Sequence, residues 1–121
     1  MSKILVVDDS GYARRVHRSI LEAAGHTVLE ASSGMTAIET YSLEQPDVVL
    51  LDLSMADLGG LEVLKTLKEV DETVRVIVLS ADVQRTTEEA VMTGGARKFL
   101  PKPANPDQLV KTVSAVVADA T

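Results

Sequence analysis

Short apolar runs alternate with longer amphipathic segments along this chain. Five runs have the length and aliphatic composition of β-strands, at 3–8, 27–31, 47–52, 74–80 and 96–100. Between them, apolar residues recur at helical spacing over 11–24, 33–44, 60–70 and 84–93. Asn105-Pro106-Asp107 predicts the start of a last helix, because Asn caps well, Pro suits the first turn and Asp favours the positive dipole end. This alternation predicts a parallel sheet covered by helices on both faces.

The composition of the strands predicts their order. The first, third and fourth strands are continuously apolar, as expected of strands that are covered on both faces. The second strand carries Thr27 and Glu30 and the fifth carries Arg97 and Lys98, so these two are expected at the edges. The predicted fold is a flavodoxin-like (βα)5 three-layer sandwich with strand order 2-1-3-4-5. Its ligand crevice lies between the carboxyl ends of the first and third strands.

Chemically active side chains follow four of these strands. Asp8 and Asp9 follow the first strand, Asp52 ends the third, Ser80 ends the fourth and Lys102 follows the fifth. In a parallel sheet they gather at one edge, where three carboxylates repel one another and can share a site only with a cation. A hard divalent cation prefers such oxygen ligands. A carboxylate can also attack phosphorus to form an acyl phosphate, provided that nearby cations neutralise the phosphoryl charge.

This chemistry suggests a role for each group. Asp52 is predicted to be the nucleophile, because it stands alone at the end of the middle strand. Asp8 and Asp9 are predicted to hold Mg²⁺, one directly and one through water. The side chains of Lys102 and Ser80 are predicted to contact the phosphoryl oxygens. The backbone N–H groups of Ser54 and Ala81 are predicted to complete the binding site.

Composition and charge narrow the class of protein. A chain of 121 residues without a linker or repeat is expected to form one domain. With 12 basic and 18 acidic residues the net charge is −6, which argues against a nucleic-acid-binding surface. Cysteine is absent, which excludes disulfides and thiol chemistry. No apolar run is long enough to span a bilayer, and Met1-Ser2-Lys3 enters a strand without a signal-peptide layout, so a cytoplasmic protein is expected.

The chain resembles a two-component response regulator receiver domain of the stand-alone CheY-like type over almost its whole length. The resemblance rests on Asp8-Asp9, Asp52, Ser80-Ala81 and the segment 95–103, in order and at the expected strand ends. It implies that residues 1–121 form one receiver domain, which takes a phosphoryl group from a histidine kinase onto Asp52. The Mg²⁺ ligands that the resemblance implies are Asp8, Asp9, Asp52 and the backbone carbonyl of Ser54.

The resemblance also implies a switch. Phe99 is expected to turn inward when the Ser80 hydroxyl moves to the phosphate, and the Lys102-Pro103 bond is often cis in such domains. A downstream protein would bind helix 84–93, strand 96–100 and the last helix. The candidate contacts are Val83, Arg85, Glu88, Phe99 and Pro101. The implied protein is a monomeric regulator, with chemotaxis as one setting. It is not a turnover enzyme, although its site catalyses its own phosphotransfer and dephosphorylation.

Three positions depart from the family pattern. The loop after Asp52 reads Met55-Ala56-Asp57-Leu58-Gly59-Gly60, where Met-Pro is common, and the loss of Pro with the gain of Gly is expected to loosen it. The hydroxyl is Ser80, where Thr is commoner, and the aromatic is Phe99, where Tyr is common. The two positions thought to tune phosphoryl lifetime are Ser54 and Asp82, and their pairing leaves that lifetime open.

Two other functions fit the sequence less well than this resemblance, and two variants of the receiver function stay open. A flavodoxin-like redox protein would need Ser, Thr and Gly after the first strand, where this chain has two carboxylates. An aspartyl phosphatase typically carries a second acid two positions after its nucleophile, where this chain has Ser54. A receiver fragment of a longer regulator with a separate output domain, such as a DNA-binding one, and a phosphorelay intermediate both stay open.

The remaining polar residues of the first helix have two interpretations. The cluster of Arg14, Arg15 and Arg18 fits either contact with a kinase or phosphodonor, or a solvated helix face. His17 is expected on that polar face and His26 in a turn, both solvated. The buried face of this helix is predicted to contain Val16, Ile20, Leu21 and Ala24, and helix 60–70 is predicted to bear Leu61, Leu64 and Leu67.

Overall fold

Five strands and five helices alternate in the computed structural model, which describes residues 2–54 and 58–119. The strands are β1 (Lys3–Val7), β2 (Thr27–Ala31), β3 (Val48–Asp52), β4 (Val76–Ser80) and β5 (Lys98–Pro101). The helices are α1 (Gly11–Ala23), α2 (Gly34–Glu44), α3 (Gly60–Val70), α4 (Arg85–Thr93) and α5 (Pro106–Ala118). All strand pairs are parallel and their order is β2-β1-β3-β4-β5, which confirms the predicted fold.

An apolar core lies on each face of the sheet, because alternate residues of a strand point to opposite faces. One core joins Leu5 and Val49 of the sheet to Leu64 of α3 and Val91 of α4. The other joins alternate strand residues to α1 and α5, and it contains Ile4, Leu50, Ile77, Leu21 and Leu109. β3 and β4 are buried along their whole length, so their carboxyl ends are held rigidly at the crevice.

The helix ends follow the local sequence signals. Asn105 caps α5 as predicted, since its side-chain oxygen accepts a hydrogen bond from the N–H of Gln108 at 3.1 Å. Ser10 caps α1 in the same way, accepting from the N–H of Ala13 at 3.2 Å. This cap starts α1 directly after the acidic pair.

The buried face of α1 differs from the predicted one. Leu21 is fully buried and Ile20 is partly buried, but Val16 is 36% exposed and Ala24 is exposed. His17, which was expected to be solvated, is only 6% exposed. Positions 17 and 21 lie one turn apart and share a helix face, so the histidine takes a core position that a hydropathy pattern assigns to solvent.

Two smaller expectations also need correction, those on His26 and on the first residues of β4 and β5. His26 is half-buried rather than solvated, and its Nε2 is buried without a hydrogen-bond partner among the described residues. Leu61, Leu64 and Leu67 all lie on α3 as predicted; Leu64 and Leu67 are fully buried, whereas Leu61, on the outer side of the first turn, is 45% exposed. β4 and β5 each begin two residues later than predicted. The expected loosening concerned the loop after Asp52, of which residues 55–57 lie outside the described part of the chain.

Candidate functional site

Three carboxylates meet at the crevice between β1 and β3. Asp8 follows β1 directly and Asp52 is the last residue of β3. One carboxylate oxygen from each of Asp8, Asp9 and Asp52 lies within 4.8 Å of the others. Asp8 is 1% exposed and Asp52 4% exposed, whereas Asp9 is open to solvent. The parallel topology therefore brings these residues together, as the sequence predicted.

Lys102 is the counter-ion of this cluster. Its Nζ lies 2.8 Å from Oδ2 of Asp8 and 3.3 Å from Oδ2 of Asp52. The backbone N–H of Lys102 donates to the carbonyl of Ser80 at 2.9 Å, and the peptide bond to Pro103 is cis, as expected. One ammonium faces three carboxylates, so the cluster keeps a net negative charge when all four groups are ionised.

Burial and neighbouring charges together raise the pKa values of both Asp52 and Lys102. Burial raises the pKa of Asp52 above its ordinary value, and the neighbouring charge of Asp8 raises it further, while Lys102 partly opposes both. Burial alone would lower the pKa of Lys102, but its hydrogen bond to Asp8 and the charge of Asp52 outweigh burial and leave that pKa raised. Lys102 is therefore protonated at neutral pH.

The predicted hydroxyl and backbone contacts come from residues at or just after the carboxyl ends of β3 and β4, namely Ser54, Ser80 and Ala81. The N–H of Ser54 donates to Oδ1 of Asp52 at 3.3 Å, which leaves Oδ2 towards Lys102. The hydroxyl of Ser80, at the end of β4, is buried and accepts a hydrogen bond from the N–H of Asp82 at 3.0 Å. Ala81 follows Ser80 in the exposed turn after β4.

Asp82 connects this turn to the start of α4. Its Oδ1 accepts from the N–H of Gln84 at 3.0 Å, and its Oδ2 accepts from the hydroxyl of Thr87 at 2.7 Å. These bonds lower the pKa of Asp82, the one from Gln84 most strongly. The Ser80 hydroxyl is thus one hydrogen bond away from the residue that holds the first turn of α4.

Phe99 lies on edge strand β5, opposite Val78 of β4. Its side chain is partly buried and packs against the core under α2, α3 and α4. An intermediate burial of this kind leaves the ring room on its solvent side. The geometry is therefore compatible with the predicted movement of this aromatic.

Two features of α1 near the site were not predicted from the sequence: the ion pairs of its arginines and the buried ring of His17. The basic cluster of α1 is not a free face, because Arg14 and Arg18 both form ion pairs with Glu30 of β2. His17 is the second feature: its Nδ1 is buried without a hydrogen-bond partner in the described part of the chain. Burial lowers the pKa of His17, while Asp8 raises it and Lys102 lowers it again. No sequence periodicity signals an ion pair between a helix and the next strand.

The donor set of the acidic cluster fits a hard divalent cation. All three candidate side-chain ligands are carboxylates, which is the ligand chemistry of Mg²⁺ and Ca²⁺. The Lys102 ammonium bridges two of them, so the cleft already stabilises positive charge. Asp9 is exposed, so the cluster is open to ions from solvent.

The acidic groups lie at the topological switch point of a doubly wound domain. The fold and site therefore define an α/β protein of the class that binds ligands beyond the carboxyl ends of its strands. Residues 4–114 match the family model described as the response regulator receiver domain. The chain therefore belongs to this family, and it is a phosphate-accepting signalling domain of two-component systems. This confirms the resemblance and selects it over the flavodoxin-like redox protein and the aspartyl phosphatase.

Individual relatives support the same conclusion. The chain is 31% identical over 115 residues to the chemotaxis protein CheY of Thermotoga maritima, covering 94% of this chain and 96% of that protein. It is 28% identical over 119 residues to the polar-differentiation response regulator DivK of Brucella anthropi, covering 97% of each. A Francisella receiver domain superposes with a TM-score of 0.95 at 26% identity, covering 100% of both chains.

Family membership brings general properties with it. Receiver domains bind Mg²⁺ at an acidic pocket, and they interact with histidine kinases and downstream targets. This chain has the corresponding group of three aspartates. Over 2–54 and 58–119, no helix combines the length and apolarity that crossing a bilayer requires.

Proposed function

We propose that Asp52 accepts a phosphoryl group from a histidine kinase, with Mg²⁺ held by Asp8, Asp9, Asp52 and the carbonyl of Ser54, and that the domain then changes its affinity for a protein partner. The observation that supports this most is the position of Asp52. It is a buried carboxylate at the end of the central strand β3, next to an ammonium at 3.3 Å and within 4.8 Å of two further carboxylates.

The transfer uses groups that are already in place. An oxygen of Asp52 forms a bond to phosphorus while the bond from phosphorus to the donor nitrogen breaks, and its electron pair leaves with the donor imidazole. The Ser54 N–H, now on Oδ1 of Asp52, orients the nucleophile. Lys102 keeps an anionic partner throughout, because a phosphoryl oxygen replaces its carboxylate contact. The contribution of the bound cation is to offset charge on the phosphoryl oxygens.

The phosphodonor has an approach beside this site. A largely apolar cavity of about 400 Å³ opens between α1 and the segment after β5, and it reaches Lys102. Tyr12 and Val16 present exposed apolar surface at its rim. Because Arg14 and Arg18 are already paired with Glu30, contact with a kinase would rely on this apolar surface and on the exposed Arg15.

The turn after β4 transmits phosphorylation to the surface of the domain. When the Ser80 hydroxyl moves to the phosphoryl group, it gives up its bond from the N–H of Asp82. Asp82 holds the first turn of α4, so the turn and α4 are released together and Phe99 can rotate. A receiving protein would contact the changed surface of α4, β5 and α5, with the candidate contacts Val83, Arg85, Glu88, Phe99 and Pro101. The domain is a regulator that acts as a cytoplasmic monomer, and its only catalysis is of its own phosphorylation state.

Labelling with acetyl phosphate and Mg²⁺, followed by intact mass measurement, tests the acceptor. The wild type should gain one acid-labile phosphate, and Asp52→Asn should gain none. Asp47→Asn is the matched control, because Asp47 directly precedes the same strand at its opposite end, and it accepts a hydrogen bond from the N–H of Lys3. It should label like the wild type. Equal labelling of Asp52→Asn and the wild type would show that Asp52 is not the acceptor.

A further inference from the structure

Arg14 connects α1, β2 and the end of β1. Its Nη1 donates to the backbone carbonyl of Asp8 at 2.6 Å, and its Nε donates to Oε1 of Glu30 at 3.0 Å. Both side chains of this ion pair are mostly buried, at 20% and 25% exposure. Glu30 lies opposite Val6, next to the end of β1. A planar, forked guanidinium can make both contacts at once, which a lysine cannot.

The peptide held by Arg14 is the one that joins the two predicted metal ligands. The N–H of Asp8 donates to the carbonyl of Ala31 at 3.1 Å, and its carbonyl accepts from Arg14. The carbonyl of Asp8 and the N–H of Asp9 belong to one planar group, so fixing the first also fixes the second. Asp9 is exposed, so the position of its carboxylate depends on this backbone.

Glu30 offsets the positive charge of Arg14, so that Arg14 can hold the carbonyl of Asp8 without repelling a bound cation. A bare guanidinium on the carbonyl of Asp8 would oppose a divalent ion bound nearby. The hydrogen bond from Arg18 lowers the pKa of Glu30, and the bond from Arg14 lowers it further, so this carboxylate is ionised at neutral pH. Arg18 is also paired with Glu22, so the two arginines and two glutamates together carry no formal net charge while Arg14 supplies a rigid hydrogen bond to the backbone.

We infer that Arg14, held by Glu30, is a positioning residue that sets the geometry of Asp8 and Asp9 for a divalent cation. This inference rests on the proposed function, because it assigns Arg14 a task at the same acidic site. Residues that orient metal ligands commonly alter metal affinity by about 10-fold or more when they are removed.

The test compares Arg14→Met with Arg18→Met. Both variants lose an ion pair to Glu30, but only Arg14 contacts the carbonyl of Asp8. Mg²⁺ is titrated into each protein, and the amide NMR shifts of residues 8–10 report binding without phosphorylation. Arg14→Met should bind Mg²⁺ about 10-fold more weakly than the wild type. Arg18→Met should stay within about twofold of the wild type, because its more exposed ion pair contributes little to the site.

Urea unfolding without divalent cations separates positioning from simple stabilisation. If Arg14→Met loses stability but keeps the wild-type Mg²⁺ affinity, Arg14 is merely structural and the inference is wrong. If Arg14→Met does not fold, Arg14→Lys replaces it, since that variant keeps the charge and loses the forked contact. Wild-type affinity in Arg14→Lys would then overturn the inference. A wild type that neither binds Mg²⁺ nor becomes phosphorylated would instead refute the proposed function, and this inference with it.

Discussion

Replacing Asp52 by Asn should stabilise the protein when no divalent cation is present. The substitution keeps the size of the side chain and an oxygen for the Ser54 N–H, and it removes one buried negative charge. Lys102 retains its 2.8 Å contact with Asp8. The burial that raises the pKa of Asp52 is the reason for the expected gain, because it marks the ionised carboxylate as unfavourable in the folded state.

The charges around Asp52 determine the size of this effect. With an effective dielectric constant of about 20, two carboxylate oxygens at the 4.8 Å limit of this cluster repel by about 3.5 kcal/mol, and an ammonium 3.3 Å from a carboxylate attracts it by about 5 kcal/mol. Asp52 faces two carboxylates and one ammonium, so repulsion exceeds attraction by about 2 kcal/mol, and the cost of burying the charge adds to this imbalance. We expect Asp52→Asn to raise the free energy of unfolding by about 1 to 2 kcal/mol. The gain is limited because Lys102 partly compensates the buried charge of Asp52 in the wild type. This corresponds to a rise in Tm of about 3 to 10 °C.

Urea unfolding in EDTA at pH 7.5 and pH 4.5 measures this gain and its pH dependence. Because the folded-state pKa of Asp52 is raised, ionisation destabilises the fold only as the pH rises above the ordinary aspartate value of about 3.9. The advantage of Asn should therefore be full at pH 7.5 and smaller at pH 4.5. Asp82→Asn is the control with the opposite sign, because the bonds that lower the pKa of Asp82 stabilise its ionised form. A variant Asp52→Asn no more stable than the wild type at pH 7.5 would refute this reasoning.

The proposed metal site, the buried histidine and the proposed aromatic switch can each be tested by one substitution. Asp9→Ala should fold, because Asp9 is exposed, but it should lose both phosphorylation and the rise in Tm with Mg²⁺; a retained rise would count against the site. His17→Leu should be more stable than the wild type in urea, by a margin that grows from pH 7.5 to pH 5.5, because the lowered pKa of His17 costs stability as the pH falls; a constant margin would contradict this. Phe99→Ala should keep phosphorylation and lose the phosphate-dependent gain in partner affinity, measured by titration; if the gain persists, Phe99 only fills the core.

The sheet order and the convergence of the aspartates were accessible from the sequence, because both follow from topology. Strands that are apolar at every position can only be central in a parallel sheet, and residues at their carboxyl ends then share one edge. Asp8 and Lys102 are 94 residues apart in the chain, yet their 2.8 Å contact follows from this rule. The helix caps were equally local, as Asn105 illustrates.

Two features could not be predicted from the sequence: ion pairs made by long side chains between elements, and the burial of a polar side chain in the core. Glu30 correctly marked β2 as an edge, but its carboxylate is paired with two arginines instead of facing only solvent. The length of an arginine allows that pairing across two elements, and a periodicity pattern contains no such information. His17 was misplaced for the opposite reason: it occupies a core position although its ring carries two polar nitrogens.

Lys102 joins the two parts of the proposed site, the acidic pair and the proposed acceptor Asp52. Its ammonium contacts Asp8 at 2.8 Å and Asp52 at 3.3 Å, so one charge stabilises both carboxylates. A divalent cation held by the acidic pair would compete with the first contact, and a phosphoryl group on Asp52 would strengthen the second by adding negative charge. Each event therefore favours the same displacement of Lys102 from Asp8 towards the phosphoryl group. Under the proposed function, cation binding and phosphorylation are coupled through this residue, and thermodynamic linkage requires the coupling free energy to be equal in both directions.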